Sequence, residues 1–339
     1  MPLESPLFKR LILHIGSHKT GTSAVQRAAD DHRNALLEQG LLYPKTGQWH
    51  DKSHHKWAFA LWDETSGPKT LERLIAELKA ERDSLDHQTD TVLLSSEIIE
   101  KVCLDPKLVP TLVSMLSQIA EEIECIYFVR RQDLLIESVF KQWVKDVSIR
   151  LSAPYARFIN SQKSKMDYLE VAQIWESLPK VTKMLVRTNA LVREPRAAFF
   201  EAADLQIPLV TEEENRIVNP SLDGVKLEFK YFLNHLPMEH DHDNGVMAMI
   251  NRIDTEKEVL ALFSDEERLQ LMEEFRPTNN QLATRYGAEP FDETMPERSR
   301  MISPLTGRML YSLMEQMYEQ DRKLTWLIFN KIRKQIESR

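Results

Sequence analysis

The chain has 339 residues, long enough to bury a full hydrophobic core, and 42% hydrophobic and 28% charged residues with only 9 glycines exclude a disordered or fibrous polypeptide. A formal net charge of −8 excludes a nucleic-acid binder that works through a general basic surface, so any anionic substrate has to be held by local cations. Cys103 and Cys125 are too few for a disulfide framework and lie outside any CxxC zinc spacing, which fits a reducing compartment.

In the opening segment, MPLESPLFKRLILHIG, the apolar run is too short for a signal peptide, and no stretch approaches the roughly 18 consecutive apolar residues of a membrane span. The expectation is a soluble, cytoplasmic protein with no stable membrane insertion. Short apolar runs predict buried strands at 10–15 (RLILHI), 91–95 (TVLLS), 124–129 (ECIYFV) and 181–186 (VTKMLV). Between and after them, apolar spacing and capping residues predict helices near 22–39, 70–84, 107–120, 133–147, 165–177 and 192–203. Such alternation implies a parallel α/β sheet. Beyond about residue 220 the strand signals stop and the chain turns periodic and charged, so its last third is expected to be helical. With no internal repeat and no low-complexity linker, one domain over 8–339 is expected: an α/β core at 8–220 and a mostly helical extension at 221–339.

The first strand runs directly into Gly16, Ser17, His18, Lys19, Thr20, Gly21, Thr22 and Ser23, and these into a segment with helical spacing. At a strand–loop–helix junction, unpaired backbone N–H groups and the helix dipole favour an anion, Lys19 adds a full charge, and the two glycines let the backbone approach it. The order differs from GxxxxGK[ST], because the lysine precedes the second glycine. KTGT by itself is equally compatible with a plain βα turn. A second anion site strengthens the reading: in ECIYFVRRQDLLIESVFKQW a buried strand ends at Arg130 and Arg131, and Ser138 falls inside the following helix. In open parallel sheets ligands sit outside the carboxyl ends of the strands, where an arginine and a phosphate loop on two strands can face one crevice.

HIGSHKTGTS resembles the 5'-phosphosulfate loop of sulfotransferases that use 3'-phosphoadenosine 5'-phosphosulfate (PAPS), and Arg130 with Ser138 eight positions later resembles their 3'-phosphate motif. The resemblance is closest to bacterial carbohydrate-type members and extends to LLYPKTG, the His54–His55 pair, LLSSE, VNPSLD and NNQLATRY, covering most of 10–287. It implies that Lys19, Thr20, Gly21, Thr22 and Ser23 hold the 5'-phosphosulfate, with Gly16, Ser17 and His18 completing the loop, and that Arg130 and Ser138 hold the 3'-phosphate. Lys19 would also neutralise the departing phosphate. The late RKGxxGDWK-like segment of the cytosolic branch is absent, which leaves the adenine contacts unassigned. Pattern and resemblance together predict a three-layer αβα, P-loop-type parallel sheet with a helical C-terminal extension. The resemblance further implies PAPS as co-substrate, no metal, and a hydroxyl or amine of a carbohydrate as acceptor.

Sulfo transfer needs alignment, stabilisation of leaving-group charge, and a base. Glu97 is the first choice, because TVLLSSEIIE places it just past a strand on the edge that carries Lys19 and Arg130; the alternative is a first-turn glutamate that complements a helix dipole behind Ser96. His55 and His54 compete with it, imidazole being matched to proton transfer near neutral pH. His14 and His18 flank the loop without a catalytic assignment. The stretch His235, His240, Asp241, His242, Asp243 lacks both HExxH and calcium-loop spacing and is expected to be a solvated polar loop. The cationic run RMLYSLMEQMYEQDRKLTWLIFNKIRKQIESR is amphipathic, expected to pack on its own domain, and leaves a membrane surface or a homo-oligomer contact open. Competing functions are a small-molecule kinase, disfavoured by the loop order, and a non-catalytic nucleotide- or polysaccharide-binding protein.

Overall fold

A computed structural model of the chain describes residues 5–86, 89–188, 194–207, 222–296 and 300–337. In chain order its elements are β1 (Phe8–Gly16), α1 (Thr22–Asp31), α2 (Arg33–Glu38), β2 (Leu41–Leu42), α3 (His55–Trp62), α4 (Gly67–Asp83), β3 (Thr91–Ser95), α5 (Val109–Ile119), β4 (Ala120–Val129), α6 (Gln132–Lys145), α7 (Tyr155–Lys163), α8 (Tyr168–Ser177), β5 (Val181–Thr188) and α9 (Pro195–Ala202). They continue with α10 (Gly224–Asn234), α11 (His240–Arg252), β6 (Leu260–Ala261), α12 (Asp265–Tyr286), β7 (Arg300–Met301), α13 (Gly307–Gln320) and α14 (Arg322–Glu337), and a short 3-10 turn, Ile99–Leu104, follows β3. The chain divides into two compact units: Met1–Arg131 with Asp167–Glu214 and Glu273–Asp292, and Gln132–Met166 with Asn215–Met272 and Glu293–Arg339.

The first unit is built on a five-stranded sheet in the order β2-β3-β1-β4-β5, every pair parallel. The four predicted strands are all present, because each is an apolar run short enough to be a strand; β1, β3 and β4 are buried over most of their length, the pattern of a parallel sheet, whereas β5 at the sheet edge leaves Thr182 and Lys183 exposed. Alternation sorts the side chains. Ile12, Leu93, Ile126 and Phe128 pack under Val25, Ala28 and Ala29 of α1, Leu36 of α2, and Phe199 and Phe200 of α9. Tyr127 points to the opposite face, where it meets the ring of Tyr168 on α8 with centroids 6.0 Å apart. The result is helix, sheet, helix, the expected class. Burial pushes both thiols, Cys103 and Cys125, above their ordinary range.

Several elements depart from the expectation. The helix expected over 22–39 is two, broken at His32, whose N–H closes α1 on Ala28 O. β2 is two residues long, too short for periodicity to register, and α3 begins at His55, inside a stretch rich in turn-forming residues. For the helix expected over 192–203, residues 192 and 193 lie outside the described residues and α9 begins at Pro195. Of VNPSLD, 218–221 lie outside the described residues, while Asp223 caps α10 by accepting from Lys226 N at 3.0 Å.

The second unit is mainly helical, with one two-residue parallel pairing of β6 and β7. Phe229 and Leu233 of α10, Val246 and Ile250 of α11, Met317 of α13 and Ile328 of α14 share one apolar cluster. Two buried ionic centres accompany it. Lys230 donates to Asp243 at 2.8 Å and to Asn234 at 2.5 Å with both charged side chains fully buried, and Arg268 pairs with Asp133 and with Glu137, the latter at 2.8 Å. The stretch expected to be a solvated loop is therefore corrected. His235 is the exposed C-cap of α10, and the rest forms the start of α11, where His240, Asp241 and His242 are outside the buried core and Asp243 turns inward to pair with Lys230. Helices α10, α13 and α14 also enclose a mainly apolar cavity of about 710 Å³, lined by Tyr231, Phe232, Leu305, Leu310, Ile332 and Ile336 among others.

Candidate functional site

Strand order places the site. From β1 the chain crosses to β2 and β3 on one side, whereas from β4 it crosses to β5 on the other, so the connections diverge between β1 and β4. Outside the carboxyl ends of such a strand pair a crevice opens. Gly16 ends β1 there and Val129 ends β4, followed at once by Arg130.

The loop between β1 and α1 is held by its own backbone. Ser17 N donates to Phe128 O of β4 at 2.5 Å, and Thr20 Oγ1 donates to Ser17 O at 2.6 Å. Lys19 and Gly21 both have positive φ, 64° and 92°. At Gly21 a Cβ would lie 2.6 Å from the side chain of Pro195, and at Gly16 one would lie 2.9 Å from Cβ of Glu97, so neither position has room for a side chain. Gly21 is also the N-cap of α1. It offers no side-chain cap, and no acid sits in the first turn. An uncapped N-terminus leaves backbone N–H groups and the positive end of the helix dipole open to an anion. Arg130 Nη1 donates to Lys19 O at 3.2 Å, and Tyr168 Oη donates to Arg130 O at 2.7 Å, which fixes the arginine against the loop.

Of the loop residues expected to bind, Ser17, Thr20 and Thr22 are buried, Gly16 is buried in the strand end, Lys19 and Gly21 are half-buried, and His18 and Ser23 are exposed. The Thr20 hydroxyl props the loop internally, so any ligand contact there falls to its backbone N–H. Ser138 lies in the second unit, half-buried on α6.

Glu97 is brought to the loop. It packs on Gly16, and its carboxylate accepts from Gln26 Nε2 of α1 at 3.0 Å. His55 Nε2 lies 3.8 Å from Glu97 Oε1 and 3.8 Å from Asp51 Oδ2, while His55 Nδ1 and the Ser96 hydroxyl are 2.9 Å apart. His18 is within electrostatic reach of Glu97, His55, Lys101 and Lys19. His54 is not free for proton transfer. Its Nδ1 accepts from Ser95 N at 3.1 Å, its Nε2 donates to Pro44 O at 2.9 Å, and burial pushes its pKa down to about 3. It is a neutral cross-link between the loop before α3 and the end of β3.

Two side chains here carried no motif. Gln26 donates to both Ser95 Oγ, at 3.2 Å, and Glu97, and its Oε1 is buried without a partner among the described residues. His14, at the end of β1, pairs through Nδ1 with Ser95 Oγ at 2.9 Å, its Nε2 likewise has no partner, and burial pushes its pKa down to about 4. The signal that could have found Gln26 is a polar residue in the buried register of α1, beside Val25 and ahead of Ala28 and Ala29. The strand ends thus bring together the uncapped start of α1, the loop that carries Lys19, Arg130 hydrogen-bonded to that loop, and Glu97 hydrogen-bonded by Gln26.

No family model and no curated protein matches the chain. Among solved structures it is similar to the sulfotransferase domain from the curacin biosynthetic pathway, at 14% identity over 74% of this chain and 99% of that one, with a TM-score of 0.37. It is also similar to the sulfotransferase domain from the Synechococcus PCC 7002 olefin synthase, at 13% identity over 81% of this chain and 98% of that one, with a TM-score of 0.36.

Proposed function

We propose that the chain is a PAPS-dependent sulfotransferase that acts on a hydroxyl or amine of a carbohydrate or glycoconjugate and releases 3'-phosphoadenosine 5'-phosphate (PAP). The observation that carries this reading is the hydrogen bond from Arg130 to Lys19 O, which joins the two segments that resemble PAPS-binding motifs at one strand-end crevice. The residues fit such a nucleotide. Two glycines whose Cβ atoms would collide with Glu97 and Pro195 leave a cradle of backbone, and α1 opens onto it uncapped. In this reading the amides of His18 to Ser23 and the Lys19 ammonium hold the 5'-phosphosulfate, and Arg130 holds the 3'-phosphate, a role that the sequence resemblance extends to Ser138.

PAPS supplies the sulfo group. Lys19 offsets the negative charge that grows on the 5'-phosphate as the sulfur–oxygen bond breaks. Glu97 accepts the acceptor's proton; Gln26 fixes one carboxylate oxygen, leaving the other toward His55. His55, held by Ser96, orients Glu97 or exchanges the proton onward. An anionic loop ligand held by one lysine matches a chain whose net charge of −8 gives it no general affinity for polyanions.

The test is transfer of label from sulfur-labelled PAPS to panels of glycans, lipids and phenols. Transfer to glycans is expected, and Lys19→Ala should fold yet lose about 3–4 kcal/mol of barrier lowering, a drop of a few hundredfold or more. Normal turnover by Lys19→Ala, or phosphoryl transfer from ATP in place of sulfo transfer, would overturn the reading.

A further inference from the structure

The last helix, α14, is anchored along one face and open along the other. Thr325 and Ile328 are buried, and Ile328 joins Phe229, Val246 and Met317 in the core of the second unit. On the opposite face Arg322, Trp326, Phe329, Arg333 and Ile336 follow at spacings of three and four, one stripe of a helix. Trp326 is 60% exposed, Phe329 48% and Ile336 70%. The first two rings stack, with centroids 5.5 Å apart and planes 16° apart. Tyr318 of α13 extends the stripe, with the Arg322 guanidinium 5.5 Å over its ring.

Charge selects the occupant. Arg322, Lys323, Lys331, Arg333 and Lys334 face a single acid, Glu337, within α14, although the whole chain carries −8. A second copy seated on this stripe through a two-fold axis would set these cations against their own copies. An anionic surface meets them favourably, and rings of this kind settle at the headgroup level while lysine and arginine stems reach past them to the charges. Among the described residues no helix is long and apolar enough to cross a membrane, so the contact is peripheral. Ile332 and Ile336 also line the 710 Å³ cavity. Since Ile336 is largely exposed, that cavity reaches the surface beside the stripe and offers an acyl chain an apolar wall.

We propose that α14 docks the protein on an anionic lipid bilayer, with Trp326, Phe329 and Ile336 entering the interface and the exposed Arg322, Lys323, Arg333 and Lys334 on and beside that stripe meeting the headgroups. The full chain is co-sedimented with vesicles of phosphatidylcholine alone, and with vesicles in which roughly a third of the lipid is phosphatidylglycerol. Partition onto the anionic vesicles is expected to be at least about tenfold higher and to fall as salt is raised. Arg333→Gln with Lys334→Gln should lower it about thirtyfold, each cation near an anionic leaflet being worth roughly a factor of five. Trp326→Ala with Phe329→Ala should lower it on both vesicle types, with thermal unfolding and PAP affinity unchanged because these positions are exposed. Equal partition onto the two vesicle types would overturn the proposal. So would variants that partition like the parent, or a stable dimer in solution that Trp326→Ala with Phe329→Ala dissociates.

Discussion

Carboxylates away from open solvent are held in different ways in the two units. In the second unit Asp243 is matched with Lys230, and Asp133 and Glu137 with Arg268, all in the interior. In the first unit Glu97, its side chain 12% exposed beside Gly16, accepts from the Gln26 amide, and His55 Nε2 lies 3.8 Å from its other oxygen. Around it His14 Nε2 and Gln26 Oε1 are buried without partners among the described residues. A carboxylate clamped by a buried cation has its charge fixed and serves the fold. One hydrogen-bonded by an amide at the end of the sheet is, in the proposed reaction, the general base.

The largest effect separates these roles directly. Glu97→Gln preserves the hydrogen bond to Gln26 and should leave thermal stability and PAP affinity near the parent values, while turnover falls about 10²- to 10⁴-fold. Loss of stability with turnover intact would place Glu97 with the structural carboxylates. The converse is Lys230→Met, which leaves the buried Asp243 facing only the more distant Arg150 Nε at 3.6 Å among the cations paired with it, and should cost up to about 3–5 kcal/mol in denaturant unfolding. Adding Asp243→Leu should restore much of that, because an apolar pair replaces a buried ionic one at little net cost. A pair of glycines gives a smaller effect. Gly21 and Gly40 both have positive φ, 92° and 75°, but a Cβ meets Pro195 at the first and nothing within 4 Å at the second. Both alanine variants should lose about 1–3 kcal/mol to backbone strain, and only Gly21→Ala should also weaken PAP binding.

The smallest effect is a pH slope. Burial holds His14 down to about 4 and His54 down to about 3, so both stay neutral in the fold while the unfolded chain protonates them below about 6.5. Unfolding then takes up protons, so their contribution is complete above about pH 6.5 and is lost as pH falls toward 4, by roughly 1.4 kcal/mol per unit for each histidine. His54→Gln should flatten that slope by one proton in denaturant unfolding measured across the window; an unchanged slope would mean that His54 titrates normally.

The sheet and the strand–loop–helix junction after β1 were legible because both are written locally. β1, β3, β4 and β5 are short apolar runs, and HKTGTS sits directly between a strand and a helix. What was not legible depends on contacts distant in sequence. Gln26 reaches Glu97 across 71 residues, and nothing in α1 alone marks it beyond being polar on a buried face. His54 and His55 are adjacent in the chain, yet one cross-links backbone and the other faces Glu97, a division set by which way α3 begins. Asp243 looked like part of a solvated cluster because its partner, Lys230, is one helix earlier and reads as an ordinary surface lysine.

The central claim is that the cradle and Arg130 together recognise a 3'-phosphorylated nucleotide. Calorimetric titration of the full chain with PAP and with ATP plus magnesium tests it most directly. PAP should bind at least tenfold tighter than ATP, and Arg130→Ala should erase most of that preference, a hydrogen bond to a charged group being worth about 1.5–3 kcal/mol. Equal or tighter binding of ATP, or a preference untouched in Arg130→Ala, would contradict it.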